Sequence, residues 1–396
     1  MVRNMSVREG NSAGFVDRLE ALRGIASLWV AVGHALIWLS MGDPLKWTAA
    51  ERHQYGWQAA VGHVLITIFN GNAAVDVFFV LSGFVLTKSL LNGGTTAGRY
   101  WAYAARRVFR ILPAFWFSLF VVGLYLAFAY PGHAVMQGAS SWFNQWYERP
   151  LDTQTMIDNL TFVSPWLNPN AWTLKVEIVL SLALPFVVWI LARGGVLTGA
   201  AVLVASIVSG WFARDLSLTL SPLHYVYMFV AGAVLAKHAS VFDCAPRWTP
   251  NLAAILGALL IVCSNQWLVP HSFRGDVVIT IGAVCLIWAS TMPNAKTLSL
   301  LDKGWAKFLG RISYSFYLLH FIVLYAVANL MLHVVPSWLI VRLPLPVMLV
   351  GGVVMLLIAV PLSMLSFTFV EKPFTLFGKR LSSAMDNAIA TTAKTQ

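Results

Sequence analysis

The sequence predicts an all-α fold, a polytopic transmembrane bundle of about ten helical spans. Only 11% of the 396 residues are charged and 58% are hydrophobic, whereas soluble domains carry about 25% charged residues. The mean hydropathy is +0.71. Apolar stretches recur at close to the ~20 residues that a helix needs to cross a bilayer. Basic residues also concentrate in alternate connecting segments, as the positive-inside rule requires.

The ten predicted spans are separated by short connections and by two long ones. The spans cover residues 19–40, 72–91, 107–130, 172–192, 194–213, 222–240, 250–269, 275–291, 309–333 and 344–369. The first long connection, 41–71, contains an apolar run that is too short to span, and we expect an interfacial or re-entrant helix there. The second, 131–171, is rich in aromatic residues.

The basic residues predict the orientation. With the N-terminus in the cytoplasm, 20 of the 27 lysines and arginines lie on the cytoplasmic side, so both termini are expected there. This distribution explains the net charge of +11 without a nucleic-acid partner. No apolar core precedes residue 19, so we expect the first span to act as a signal anchor rather than a cleavable signal peptide.

We expect one membrane domain, residues 1–375, followed by a disordered polar tail, residues 376–396. The three cysteines form no spaced motif, and two of them lie within predicted spans. Packing is therefore favoured over a disulfide or a metal site for them, and no metal and no cysteine nucleophile are predicted.

Arg23 and His34 are the most informative pair. They are eleven positions apart in the first span, and eleven steps of about 100° bring both side chains to one helix face. The rise of 1.5 Å per residue separates them by ~16 Å, which places the arginine at a membrane surface and the histidine near the bilayer centre. An ionisable group at that depth is a functional candidate; the alternative is a histidine hydrogen-bonded to a neighbouring helix.

A second histidine is predicted at the depth of His34, and a carboxylate slightly nearer the outer surface. His320 in the ninth span lies about eleven residues from the inner surface, again ~16 Å by helix rise, and Tyr317 adds a polar group on the same helix. Glu177 lies near the start of the fourth span, and nothing local pairs with it. Together they suggest one polar cavity inside the bundle, since a buried carboxylate needs a partner or a role.

Three arginines, Arg106, Arg107 and Arg110, stand at the predicted start of the third span. Guanidinium groups bind phosphate oxygens bidentately, so the cluster favours an anionic cytosolic ligand. The alternative is a positive-inside anchor without a ligand.

Two further features have a functional and a structural interpretation. In the second span, Asp76 lies in the first turns, where the helix dipole alone favours an acid, and Ser82 lies deeper beside a glycine that allows close helix approach. Aromatic residues of 131–171, among them Trp142, Trp146 and Trp166, form either an interfacial belt or a platform on which sugar rings stack.

Six stretches of the chain resemble the acyltransferase-3 family of membrane-bound O-acyltransferases. They are RLEALRGIASLWVAVGHA (18–35), VDVFFVLSGFVLTKSL (75–90), RRVFRILPAFW (106–116), AWTLKVE (171–177), LGRISYSFYLLH (309–320) and SFTFVEKPF (366–374). They follow the family's order over about residues 16–375. Glu20, Thr173, Val179 and Leu180 depart from the family's pattern, but none of these changes removes a titratable group, and only the last two bear on the fit of the acceptor.

The resemblance implies transfer of an acyl group, often acetyl, from a cytosolic acyl-CoA to a hydroxyl of an envelope glycan or glycolipid. We predict that His34 is the general base, that Glu177 orients the acceptor or His34, and that Arg23 contacts the donor or fixes the helix. A transient acyl-histidine is the less favoured variant. The residues predicted to bind the donor are Arg106, Arg107, Arg110, Ser82, Tyr317 and His320. The residues predicted to bind the acceptor are Asp76 and Trp172.

Two other functions are compatible with the same residues. A proton-coupled transporter would use the buried histidine and glutamate as relays, but it predicts inverted repeats and broken helices that the sequence does not display. An idle exporter or scaffold of a polysaccharide pathway would not need the titratable set. We expect the protein in a bacterial inner membrane.

Overall fold

A computed structural model describes the backbone of residues 2–41, 54–93, 97–130, 135–147, 151–163, 165–214, 220–242, 244–267 and 272–395. The described residues form an all-α bundle, as the sequence predicts. Helices account for nearly all of them, no strand occurs among them, and the isolated β-bridge that they contain joins Leu39 and Ala139.

Fifteen α-helices are given labels below. They are α1 (Val2–Ala35), α2 (Trp57–Ile68), α3 (Gly71–Gly93), α4 (Ala97–Phe128), α5 (Ser141–Asn144), α6 (Thr153–Leu160), α7 (Ala171–Arg193), α8 (Val196–Ala213), α9 (Val226–His238), α10 (Thr249–Trp267), α11 (Phe273–Ser290), α12 (Gly304–Val334), α13 (Ser337–Arg342), α14 (Pro344–Ser366) and α15 (Lys372–Thr395). Short 3₁₀ segments cover Ser221–Tyr225, Ala239–Phe242 and Lys296–Asp302, and a π-helical turn covers Phe367–Glu371.

Each of the ten predicted spans falls on a long helix. Eight helical segments of the described chain are long and apolar enough to cross a membrane. The two other predicted spans correspond to α10, whose described apolar stretch is shorter, Thr249–Ser264, and to α1, whose first half carries several charges. The third span begins earlier than predicted, because α4 starts at Ala97 rather than near residue 107.

Helices α1 and α12 run side by side in the centre of the bundle, and glycines allow their close approach. A Cβ on Gly24 would meet the backbone of Gly310, and a Cβ on Gly310 would meet the carbonyl of Glu20. Small residues at such a crossing let two membrane helices approach closely. His34 and His320 each follow their glycine by ten residues, so two parallel helices in contact here bring the two histidines to the same level.

The segment after residue 375, expected from the sequence to be disordered, is helical through Thr395. It packs against α4: the rings of Phe109 and Phe377 lie 4.9 Å apart, and Arg106 donates a hydrogen bond to the hydroxyl of Ser382. Ser382 is buried. The polar residues lie mainly on one face of an amphipathic helix. Its other face packs against α4, a partner that the local sequence pattern does not reveal.

Helix α2 is too short to span, as predicted for the first long connection; residues 42–53 of that connection lie outside the described residues. Gln58 ties α2 to the junction of α13 and α14, because its amide donates to the carbonyl of Arg342 and accepts from the N–H of Leu345. In the second long connection, residues 131–134, 148–150 and 164 are likewise not described. Its remaining residues include α5 and α6, and Ser140 before α5 donates to the carbonyl of Ile37 just after α1.

Candidate active site

The two histidines predicted at equal depth are in contact. Nδ1 of His34 lies 3.1 Å from Nε2 of His320, and the rings stack with their centroids 5.2 Å apart. His320 is completely buried, and its Nδ1 lies 3.1 Å from the carbonyl oxygen of Phe316, one turn earlier in α12. The α1–α12 crossing therefore builds a pair of hydrogen-bonded imidazoles.

His34 lines a cavity of about 690 Å³, which we call the chamber. One wall is polar and comes from the segment after α1, from the start of α3 and the loop before it, from the turn around α5 and from the residue before α7. Its polar residues are Ser40, Asn70, Asn72, Ser140, Ser141 and Asn170. A second wall comes from α2 and α14 and is apolar, with Ile66, Leu345 and Met348. The chamber therefore presents two chemically different surfaces to a ligand.

Three tryptophans complete the chamber. Trp142 lies closest to the base candidate, with its ring centroid 5.3 Å from that of His34. Trp146 and Trp172 also line the cavity, and Trp146 contacts the ring of Trp166 at 4.7 Å. These rings belong to the chamber wall, which is the arrangement that a stacking platform requires rather than a belt facing only lipid.

A second, smaller pocket lies beside the chamber and has a volume of about 30 Å³, room for one or two water molecules. Arg23, Ser82 and Glu177 line it, together with Thr173 and Tyr314. We call it the arginine pocket.

Val75 and Tyr317 line both cavities, so they form the partition between them. The hydroxyls of Tyr317 and Thr173 lie 3.0 Å apart, and that of Thr173 donates to the carbonyl of Asn170. Because the hydroxyl proton of Thr173 is used in the bond to Asn170, the Tyr317 hydroxyl is the donor to Thr173.

The arginines of the cluster are paired with side chains of the protein, whereas the arginines of a free phosphate-binding patch would have no such partners. Arg107 donates to a carboxylate oxygen of Glu177 at 2.6 Å, and Arg110 lies 3.3 Å from the buried carboxylate of Glu371. The helix that carries them begins earlier than the sequence predicts. Because α4 starts at Ala97, Arg107 lies ten residues, ~15 Å, along the helix, inside the bundle.

Arg106 differs from its two neighbours. It lies at the edge of the bundle, where it bonds Ser382 at 2.7 Å and lies 3.8 Å from Asp386 of α15. Its side chain is 40% exposed, against 14% for Arg107. It is therefore the most accessible of the three to a ligand from solution.

Arg23 makes no hydrogen bond and no ion pair with any described residue, although it lies within the electrostatic reach of Arg107, Arg110, Glu177 and Glu371. These three arginines and two glutamates carry a net charge of +1. The arginine pocket thus has one guanidinium whose charge is not balanced by a direct partner, which is the residue that an anionic or strongly polar ligand group would contact.

Not every predicted residue reaches a cavity. Glu177 lies in the arginine pocket, paired with Arg107, and the partner of His34 is His320 instead. His320, predicted to bind the donor, lines neither cavity. Asp76, predicted to bind the acceptor, is buried. Its Oδ2 has no hydrogen-bond partner among the described residues, and its carboxyl group lies within electrostatic reach of Asp276 in α11. Ser82 and Tyr317 line the arginine pocket, and Trp172 lines the chamber.

The structure adds residues that the sequence reasoning missed. Asn170 donates to the carbonyl of Tyr317, and Asn168 donates to that of Leu318. Both amides hold the turn of α12 that precedes His320. The signal in the sequence was the pair of asparagines in NPNAW, immediately before an apolar span. Glu371, which accepts from the hydroxyl of Ser315 at 2.8 Å, could have been suspected as a carboxylate at the end of the last apolar span.

Comparison with known proteins decides the family. Residues 16–364 match the family model of the acyltransferase-3 proteins, whose description is an acyltransferase domain. The chain belongs to the acyltransferase-3 family. As a family member it is a membrane acyltransferase, with an acyl donor and an acceptor as its substrates. No curated protein and no solved structure matches the chain. Within the described residues, no group of three or more His, Cys, Asp or Glu side chains is placed to hold a metal ion.

Proposed function

We propose that this acyltransferase moves an acyl group, acetyl in the simplest case, from cytosolic acyl-CoA to a hydroxyl of a cell-envelope carbohydrate, with His34 as the general base. The observation that carries the proposal is the position of His34. It lines the chamber, is held by a neighbouring helix, and is separated from the arginine pocket by one partition. A base must lie within hydrogen-bond reach of the hydroxyl that it deprotonates, and the chamber provides that space.

The donor side of the proposal rests on the arginine pocket. Glu177 lines the pocket and pairs with Arg107 of the positively charged cluster, and Tyr317 of the partition lines it as well. Such a pocket suits the slender thioester arm of a donor that carries phosphates at its far end. Arg23 contacts the arm or its amides, and Arg106 at the exposed edge contacts phosphate. Since the pocket holds only one or two water molecules, donor binding requires Tyr317 and Phe78 to move; their rings lie 5.8 Å apart.

The acceptor side rests on the two walls of the chamber. The face of a sugar ring stacks on an indole, and Trp142 supplies one beside His34. The amides and hydroxyls of the polar wall bind sugar hydroxyls, while the apolar wall of α2 and α14 accommodates an acyl or isoprenoid portion. An amphiphilic glycan carrier therefore suits the chamber better than a fully polar soluble sugar.

The chemistry is a direct acyl transfer. The acceptor oxygen attacks the thioester carbonyl, and its proton passes to His34. As the carbon–sulfur bond breaks, His34 returns that proton to the thiolate, so the products are the ester and free coenzyme A. No acyl-histidine intermediate forms in this scheme, because His34 acts only as the base and then as the acid.

We further propose a bacterial inner-membrane location with both termini in the cytoplasm. The support is the distribution of basic residues and the ion pairs Arg18–Asp302 and Asp17–Lys307. Arg106 and α15 belong to segments that the same topology assigns to that side. Membership in an acyltransferase family leaves the transporter alternative without a supporting observation.

The test uses the purified full-length protein in lipid nanodiscs with labelled acetyl-CoA and a lipid-linked glycan fraction from cells lacking the gene. We expect labelled ester in the glycolipid with wild type and none with His34→Ala. His333→Ala is the matched control, because His333 is an exposed histidine at the far end of α12. Near-normal transfer by folded His34→Ala refutes the base assignment. No consumption of any acyl-CoA by wild type refutes acyl-CoA as the donor.

A further inference from the structure

We propose that His320 is a positioning residue that sets the tautomer of His34, so that Nε2 of His34 is the nitrogen that takes the acceptor's proton. The role of that nitrogen as base rests on the proposed function. The tautomer does not, because it follows from hydrogen-bond geometry alone.

The inference begins at the backbone of α12. Nδ1 of His320 lies 3.1 Å from the carbonyl oxygen of Phe316. A carbonyl oxygen only accepts hydrogen bonds, so Nδ1 of His320 carries the proton. In a neutral imidazole one nitrogen donates and the other accepts. Nε2 of His320 is therefore an acceptor.

The second step crosses from α12 to α1. Nε2 of His320 lies 3.1 Å from Nδ1 of His34. Two lone pairs facing each other at that distance repel, so Nδ1 of His34 must carry a proton and donate it to His320. The neutral ring of His34 then has its lone pair on Nε2.

The third step is the surroundings of the two rings. No described residue hydrogen-bonds to Nε2 of His34, and the ring lines the chamber. His320, by contrast, is completely buried, lines neither cavity and stacks on the ring of Phe316 at 5.6 Å. A ligand in the chamber can meet Nε2 of His34 but cannot touch His320, so His320 acts through His34.

The arrangement also stabilises the protonated base. When Nε2 takes the hydroxyl proton, the imidazolium of His34 donates from Nδ1 to Nε2 of His320. A hydrogen bond with a charged donor is stronger than a neutral one. His320 cannot relay this proton onward while its own Nδ1–H is held by the Phe316 carbonyl, so the proton stays on His34 until the thiolate takes it.

The first measurement is the tautomer itself, by ¹⁵N NMR of the full-length protein with labelled histidine, the His34 signals being assigned from the spectrum of His34→Gln. We expect a protonated Nδ1 and an unprotonated Nε2 in wild type and in His320→Gln, whose amide oxygen can still accept. His320→Leu should give a mixture of tautomers. A protonated Nε2 in wild type, or the same tautomer in His320→Leu as in wild type, overturns the proposal.

The second measurement is activity. For His320→Leu we expect kcat about 10- to 100-fold lower, since a hydrogen bond to a charged group is lost, with the KM of both substrates changed by less than about twofold. His320→Gln should recover most of kcat. His333→Leu is the matched control, because His333 makes the same bond to a carbonyl one turn earlier, 2.7 Å from Asn329, but is exposed.

Equal loss in His320→Leu and His320→Gln, or an effect on KM alone, contradicts a positioning role. If His320→Leu does not yield folded protein, His320→Phe keeps an aromatic ring without an acceptor and is measured in its place. A wild-type protein that transfers no acyl group refutes the proposed function but leaves the NMR result decisive for the tautomer.

Discussion

The ion pair between Arg107 and Glu177 gives the sharpest prediction about stability. The two side chains are 14% and 20% exposed and lie 2.6 Å apart, so Glu177→Gln keeps the shape of the side chain and leaves Arg107 without its counter-charge. At an effective dielectric constant of about 20, the attraction at this distance is about 6 kcal/mol. Part of it is offset by desolvation, and removing one member of a buried pair costs about 3–5 kcal/mol.

We therefore expect Glu177→Gln to lose about 3 kcal/mol of unfolding free energy, a large share of the about 5–15 kcal/mol typical of a folded domain. The measurement is reversible denaturation in detergent, or the melting temperature in nanodiscs where unfolding is irreversible. The double variant Arg107→Met with Glu177→Met should recover most of the loss, because no unpaired charge is left. Asp158→Asn changes a partly exposed carboxylate on α6 that accepts from Gln154; the asparagine oxygen can still accept, so this variant should stay within about 0.5 kcal/mol of wild type.

The outcome also separates two roles for Glu177. If Glu177→Gln is as stable as wild type, or if the double variant is no more stable than the single one, the structural account of the pair is refuted. A catalytic glutamate, as predicted from the sequence, would instead give a folded, stable Glu177→Gln protein with a much lower kcat.

Three further predictions test other parts of the structure. Gly310→Val should prevent the close crossing of α12 with α1 and abolish recovery of folded protein in size-exclusion chromatography, whereas Gly123→Val, where a Cβ meets open space, should fold normally; equal recovery of both contradicts the crossing. Tyr317→Ala should remove the partition between the two cavities and raise the ratio of acyl-CoA hydrolysis to acyl transfer; an unchanged ratio refutes the partition. The hydrogen bonds from Arg18 lower the pKa of Asp302, so the stability that they contribute is present above the unfolded pKa of Asp302 and is lost as the pH falls through its folded pKa. The melting temperatures of wild type and Asp302→Asn should therefore differ at neutral pH and converge in acid; a constant difference contradicts this linkage.

Much of the site could be predicted because helix geometry is local. The rise per residue placed His34 and His320 at equal depth, and the structure brings them into contact. Arg23, Ser82 and Tyr317, which were chosen from the sequence, line one pocket.

Other features of the molecule depend on a helix boundary or on a distant partner. The sequence predicts that the arginine cluster begins a span, but ten residues of α4 precede Arg107. The hydropathy of this first, amphipathic part of the helix is too close to that of a loop to show where the helix begins. Glu177 appeared unpaired because its partner is seventy positions earlier in the chain. For residues 376–396 the sequence predicts a disordered tail, whereas the helix Lys372–Thr395 packs against α4, a partner that its own composition does not reveal.

By itself the sequence determined an all-helical membrane protein and the common level of His34 and His320, since these depend only on hydropathy and on the pitch of an α-helix. Only the tertiary structure decided that His34 pairs with His320 rather than with Glu177, and that Glu177 and Glu371 neutralise two of the arginines. Lateral neighbours are set by how helices pack against one another, and close glycine crossings such as that of α1 and α12 join residues hundreds of positions apart.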